Sequence, residues 1–284
     1  MAEESLSVLM YGPAGAGKTT LSLTGPKPIL FLDAETASRF IPRSYRKIKW
    51  DPKKDKQAPT ADGSWDICVV SIKNWESADS VVKILGTHKH QFQTVVVDSV
   101  SEILVKAKDA ISTSQFKIQD WGALGQNMGK FLRALRDITA DENSSIRMLA
   151  LLSATKEYNI GTDTKPVMQF RPLLEGSVKD TIQYLYDILA YIELEDVPVD
   201  PSNPGKGMTK LQTFFTGSSP NVASKSRPPG VPPTLHNITL EGLLNNIFGG
   251  PEEAPESRPA GVDKDGVVED NITKKEQPFN GLPV

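Results

Sequence analysis

Gly12-Pro13-Ala14-Gly15-Ala16-Gly17-Lys18-Thr19 fits the pattern G-x-x-x-x-G-K-[ST] at every fixed position. The apolar run Val8-Leu9-Met10-Tyr11 ahead of it predicts a buried strand. Behind it, Thr20-Leu21-Ser22-Leu23 starts a helical pattern that Gly25-Pro26 soon stops. Strand, glycine-rich loop and helix is the context in which this pattern forms a phosphate cradle. Glycines let backbone N–H groups turn inward and approach a polyphosphate without Cβ clashes. The helix N-terminus adds partial positive charge. The expected nucleotide contacts are Gly12, Pro13, Ala14, Gly15, Ala16, Gly17, Lys18, Thr19 and Thr20. Lys18 would reach the β- and γ-phosphates and the Thr19 hydroxyl would ligate Mg²⁺. ATP and Mg²⁺ are the expected cofactors.

Further strands place acids around this loop. Pro28-Ile29-Leu30-Phe31-Leu32 is a continuous apolar run, as expected of a strand buried on both faces, and it ends in Asp33-Ala34-Glu35-Thr36. The carboxyl edge of such strands is where α/β sheets hold their ligands. There Glu35 is predicted to activate a water against a γ-phosphate; the alternative is that Asp33 and Glu35 merely cap the segment after the strand. Thr94-Val95-Val96-Val97-Asp98-Ser99 forms a Walker B pattern in which Asp98 would hold Mg²⁺, while Ser99 shares that task or caps the next helix. Met148-Leu149-Ala150-Leu151-Leu152 is another strand, ending in Ser153-Ala154-Thr155-Lys156, and Thr155 is the candidate γ-phosphate sensor. Apolar spacing predicts helices over 75–86 and 100–111 and around Met128–Ile138. The segment 112–125 breaks the helical pattern and 157–175 reads as loop. A helix over 177–186, a strand over 187–194, a hairpin strand over 210–216 and a short helix over 239–248 complete the expected order.

The chain has 284 residues, a net charge of −3 and 38% apolar residues, so global basicity does not announce nucleic acid and part of the chain is expected not to pack. From about Gly249, Pro, Gly and charged residues dominate. Two regions are therefore expected: a nucleotide-binding domain over 1–248 and a disordered, mildly acidic tail over 249–284. That tail could dock a single-strand-binding or replication protein, or simply fray. The one cysteine, Cys68, excludes an intrachain disulfide and reads as a core residue. No signal peptide or membrane span is apparent, and a cytoplasmic protein is expected. Between residues 39 and 56, Arg39, Arg43, Arg46, Lys47, Lys49, Lys53, Lys54 and Lys56 alternate with Tyr45 and Trp50. This mixture is either a surface for phosphate backbone and stacked bases or a solvated loop.

The order of P-loop, strand ending in Asp33-Ala34-Glu35, Walker B at Val95–Asp98 and late Lys225-x-Arg227 resembles the RecA/RadA-like core ATPases. More narrowly, with Trp121-Gly122-Ala123-Leu124-Gly125 and Phe131-Leu132-Arg133-Ala134-Leu135, it is similar to phage-encoded AAA-type ATP-binding proteins related to Sak. The resemblance covers roughly 5–248. It implies an α/β, RecA-like P-loop fold with a mainly parallel central sheet flanked by helices and a late antiparallel addition. It also implies a Mg²⁺-dependent ATPase acting on single-stranded DNA in recombination or annealing, in the host cytoplasm. In it, Glu35 matches the catalytic glutamate and Asp98 the Walker B aspartate. Lys225 and Arg227 match a basic pair that completes a neighbouring subunit's site, which implies a homo-oligomer. DNA loops would lie near 112–122 and 157–175. The chain departs from RecA itself in having no glutamine at the strand end near Leu152, and a RecA-like polymerisation segment ahead of the P-loop is not expected. A helicase- or loader-like replication ATPase and a nucleotide-binding regulator with little turnover are the alternatives.

Overall fold

The computed structural model describes residues 4–112, 116–162, 164–200, 202, 207–217 and 219–249. The tail expected over 249–284 lies, but for its first residue, outside the described residues. In chain order the elements are β1 (Leu6–Tyr11), α1 (Lys18–Ser22), β2 (Ile29–Asp33), β3 (Lys47–Lys49), β4 (Ile67–Ser71), α2 (Trp75–Leu85), β5 (Thr94–Asp98) and α3 (Val100–Ile111). There follow α4 (Ile118–Ala140), β6 (Met148–Ser153), β7 (Thr155–Asn159), β8 (Met168–Pro172) and α5 (Val178–Leu185). The last are β9 (Ile188–Pro198), β10 (Met208–Phe215), β11 (Lys225–Ser226), β12 (Thr234–His236) and α6 (Leu240–Phe248). The main sheet has the order β12-β10-β9-β1-β6-β5-β2-β4-β3, with β11 paired to β9. From β9 to β3 every neighbouring pair is parallel; β10, β11 and β12 add antiparallel pairs on the β9 side. This is the mainly parallel α/β sheet with a late antiparallel addition that the sequence predicts.

The apolar runs are continuous because the central strands are covered on both faces. Leu9, Leu30, Leu32, Val95, Val97, Leu149 and Leu151 point to one side, where they meet Val81 and Leu85 of α2, Ile103 of α3 and Met128, Leu132 and Leu135 of α4. Their strand neighbours Val8, Met10, Ile29, Phe31, Val96 and Ala150 point to the other, under Leu21 beside the P-loop and Leu240, Leu243 and Leu244 of α6. Each of the larger side chains among them contributes roughly 1.5–3 kcal/mol on burial. Helix α6 is fixed there at its start: the Leu240 N–H donates to Thr24 Oγ1 at 2.8 Å, and Thr239 Oγ1 accepts from the Gly242 N–H at 3.0 Å. Cys68 is buried in β4, and burial pushes its thiol up to about 12, in keeping with a core residue.

Three expectations need correction. Helix α4 starts at Ile118, so 118–125 is helical rather than a break. The Asp120 carboxylate accepts the Lys117 N–H at 2.7 Å and caps the first turn. Gly125 lies where a Cβ would stand 2.5 Å from Ser177 Oγ, so this glycine lets α4 pass close to the start of α5. The stretch 157–175 contains a β-hairpin, β7 against β8, with Thr155 opposite Pro172 and Asn159 opposite Met168. Trp50 is not a free stacking surface. It is buried, packs near Phe92 and donates its ring N–H to the Asp55 carbonyl at 2.9 Å.

Candidate functional site

Register brings the polar strand ends together. Tyr11 of β1 pairs with Ser153 of β6, and Asp98 of β5 pairs with Leu152 of β6 and Asp33 of β2. The backbone continues the alignment one step beyond, the Ala34 N–H donating to the Asp98 carbonyl at 2.8 Å. The loop after β1, the acids after β2 and β5 and the segment after β6 therefore share one edge. There they line a cavity of about 530 Å³ formed by Gly12 to Thr20 with Glu35, Asp98, Ser99, Ser153, Ala154 and Thr155. Every residue expected to contact nucleotide, and Glu35, Asp98 and Thr155 with them, lies on it.

Two glycines show why the loop has this composition. A Cβ at Gly12 would stand 2.2 Å from the Ile192 carbonyl oxygen of β9, so only glycine lets the chain leave β1 so close to its neighbour. Gly17 has φ +80° and precedes Lys18, the first residue of α1; a Cβ there would meet Gln212 Nε2 at 2.5 Å. That amide donates to the Ala16 carbonyl at 2.7 Å, so β10 holds the loop from outside. The helix behind the loop is only Lys18–Ser22, so the loop's own amides rather than a long helix dipole form the cradle.

The side chains divide the work. Lys18 Nζ donates to the carbonyls of Gly12 at 2.9 Å and Pro13 at 2.8 Å. Thr19 Oγ1 donates to Asp98 Oδ2 at 2.7 Å. Asp33 is committed to local structure: it accepts the Ala37 N–H at 2.9 Å and the Ser38 hydroxyl at 2.5 Å, and so caps the turn after β2. Capping therefore describes Asp33, whereas Glu35 is exposed on the cavity, accepting a hydrogen bond from the Ser99 hydroxyl. Ser99 Oγ also accepts from the Glu102 N–H at 3.3 Å, so it caps α3 and holds Glu35 at once.

Charge is crowded here. Burial raises Asp98 to about 6, Glu35 and Asp33 push the same way, and the Thr19 hydroxyl and Lys18 oppose them. Burial lowers Lys18, partly offset by Asp98 and Glu35. A buried carboxylate beside further acids, with a threonine hydroxyl directly on it, fits a divalent cation held between the chain and a phosphate. No cage of His, Cys, Asp and Glu is found among the described residues, and Mg²⁺ does not require one, because phosphate oxygens and water supply its other ligands.

Thr155 reaches the cavity, but its hydroxyl leans to the Arg171 carbonyl of β8 at 3.4 Å. Beside it, Ser153 Oγ lies 3.0 Å from Ser101 Oγ, which donates to the Leu173 carbonyl at 3.0 Å. Lys225 and Arg227 are not brought to this cavity within the chain. Lys225 is half-buried on β11. The Arg227 guanidinium donates to the Tyr184 carbonyl and lies 3.6 Å from Asp187. Tyr11, the last residue before the loop, connects the two areas, its hydroxyl lying 2.6 Å from the Ala223 carbonyl and 3.0 Å from that of Phe170. No local pattern in the sequence marks the contacts that Gln212, Ser101 and Tyr11 make around the cavity, because they span tens to hundreds of positions.

Among the described residues no helix is long and apolar enough to cross a membrane. None of the curated proteins matches the chain. Among solved structures it is similar to the flagellar accessory protein FlaH from Methanocaldococcus jannaschii, at 10% identity and a TM-score of 0.42, with 81% of this chain and 84% of that chain covered. Its sequence matches the AAA domain over residues 4–228, a span that takes in the loop and both acids. With most of its length inside that match, and a P-loop cavity at the carboxyl edge of its parallel strands, the chain belongs to the AAA domain family.

Proposed function

We propose that the chain is a Mg²⁺-dependent ATPase that acts on single-stranded DNA in phage-type recombination or annealing, of the Sak-related kind, as a homo-oligomer. The observation that carries the ATPase reading is the convergence of the P-loop, Asp98 and Glu35 on one cavity. The loop amides and Lys18 bind the phosphates. Thr19 and Asp98 are the residues that would hold Mg²⁺, which when bound neutralises charge on the β- and γ-phosphate oxygens. Glu35 orients the attacking water and accepts its proton, and the Ser99 hydroxyl keeps that carboxylate aimed. Thr155 reports the γ-phosphate to the β7–β8 hairpin that it begins. Lys225 and Arg227 complete a neighbour's site.

The DNA part is supported by the resemblance and by exposed basic side chains, Lys156 and Lys165 on the hairpin and Lys117 at the start of α4. The decisive measurement is ATP turnover with and without single-stranded DNA across a range of salt. Stimulation that fades steeply as salt rises is the expected result, because phosphate contacts release counterions. Turnover indifferent to DNA at every salt concentration overturns the DNA reading and leaves the regulator alternative, whereas DNA-stimulated unwinding rather than annealing favours the helicase- or loader-like one.

A further inference from the structure

We propose that the cavity between β8, α5 and β11 is a second phosphate site, in which Arg171 and Lys225 hold one phosphate group. The cavity measures about 340 Å³ and shares no lining residue with the P-loop cavity. Arg171 and Gln169 enter it from β8, Gln183 from α5, Lys225 from β11, and Ser219 and Ser224 from the segment before β11. No aspartate or glutamate is among its described lining residues. Two half-buried cations thus line one concave space with no carboxylate in it. Cations removed from water ordinarily meet an anion there.

Neither of the nearby acids Asp187 and Asp180 lines this cavity. Asp187, the carboxylate that Lys225 senses, accepts the Ser7 N–H at 3.0 Å and the Ser7 hydroxyl at 2.6 Å and faces Arg227 at 3.6 Å. Asp180 lies with Lys179 on a separate cavity that Arg171 also borders. Arg171 uses its Nε to donate to Gln169 Oε1 at 2.8 Å. That bond orients the guanidinium and leaves its two terminal nitrogens as the fork that suits phosphate oxygens. Burial and the charge of Arg227 lower the Lys225 ammonium, and Asp187 offsets them only in part. The volume lies at the small end of ligand cavities and has room for a phosphate or pyrophosphate group. Arg227, held by Tyr184 and Asp187, does not line this cavity. The phosphate belongs either to a free phosphorylated compound or to a nucleotide held by a second copy of the chain. Only the second source rests on the proposed action of Lys225 in trans.

The test uses the full chain carrying Lys18→Ala, which disables the P-loop, titrated calorimetrically with pyrophosphate at low salt. Binding to this chain is expected, with affinity falling at least tenfold when Arg171→Gln or Lys225→Gln is added and thermal midpoints stay close to the parent's. Two variants on different strands keep the test open should one fail to fold. No pyrophosphate binding by the Lys18→Ala chain, or binding that both additions leave intact, overturns the site. A second arm weighs the otherwise unaltered chain, loaded with a non-hydrolysable ATP analogue, by mass photometry. Nucleotide-dependent self-association that Arg171→Gln abolishes supports the site with its phosphate on a second copy. Self-association retained by Arg171→Gln, alongside weakened pyrophosphate binding, supports it with a free phosphate compound. No self-association of the parent chain overturns the trans reading while the pyrophosphate arm still decides the site.

Discussion

At the cradle, Gly12 to Thr19 are consecutive, and their phosphate-facing groups belong mainly to the backbone. Around Lys225 the polar groups are side chains drawn from β8, α5 and β11, more than fifty positions apart at the extremes. The first region depends on how closely chain can approach chain, as Gly12 does against β9. The second depends on which long side chains lean into a hollow. Substitutions should therefore act differently in the two: through fit and charge crowding at the cradle, and one side chain at a time around Lys225.

The largest effect that would sharpen this contrast is expected from Glu35→Gln. Removing the carboxylate that accepts the proton should lower ATP turnover by about 10²- to 10⁴-fold. Nucleotide affinity, measured separately, should hold; undiminished turnover would take Glu35 out of the catalytic role. Next comes Asp98→Asn. The folded carboxyl titrates at about 6 against an ordinary 3.8, so the folded chain binds the proton more tightly than the unfolded one. That contribution to stability is complete below the ordinary value and is lost as pH rises through about 6. Without nucleotide and Mg²⁺, Asp98→Asn should therefore be the more stable protein at pH 8, by roughly 2–3 kcal/mol, with the gap closing towards pH 4. A gap independent of pH would mean that burial and the neighbouring acids do not raise Asp98.

Gly12→Ala is a probe of fit alone. Its new methyl would meet the Ile192 carbonyl, and a loss of about 1–3 kcal/mol in denaturant unfolding is expected. The smallest effect should come from Gln212→Leu, which removes the donor to the Ala16 carbonyl. About 1 kcal/mol, seen as a several-fold weaker nucleotide affinity, is expected. A Gln212→Leu chain that bound nucleotide unchanged would show that the cradle holds its shape without β10.

Much of the central sheet was legible because β1, β2, β5 and β6 are buried along their whole length and so read as unbroken apolar runs. The loop and the two acids were legible because each comes directly after such a run. The β7–β8 hairpin was not. Thr155-Lys156-Glu157-Tyr158-Asn159 pairs only with β8, outside the main sheet, and has no apolar alternation to reveal it. The first turns of α4 were hidden by Gly122 and Gly125, which lower helix propensity, while the Asp120 cap and the approach to Ser177 support the helix. Trp50 misled because an aromatic among lysines looks the same whether its ring faces solvent or Phe92. The contact of Gln212 with Ala16 joins residues 196 positions apart, a distance across which no sequence spacing speaks.

The Tyr11 phenol has a consequence for motion. Its ring belongs to the strand that carries the cradle, and its hydroxyl touches the carbonyls of Phe170, on the hairpin, and Ala223, two residues before Lys225. One rigid side chain is thus the common ruler for three polar regions. If nucleotide shifts the root of the loop, the hairpin and the Lys225 strand share the displacement through a lever a single ring long, rather than through the loops that join them in sequence.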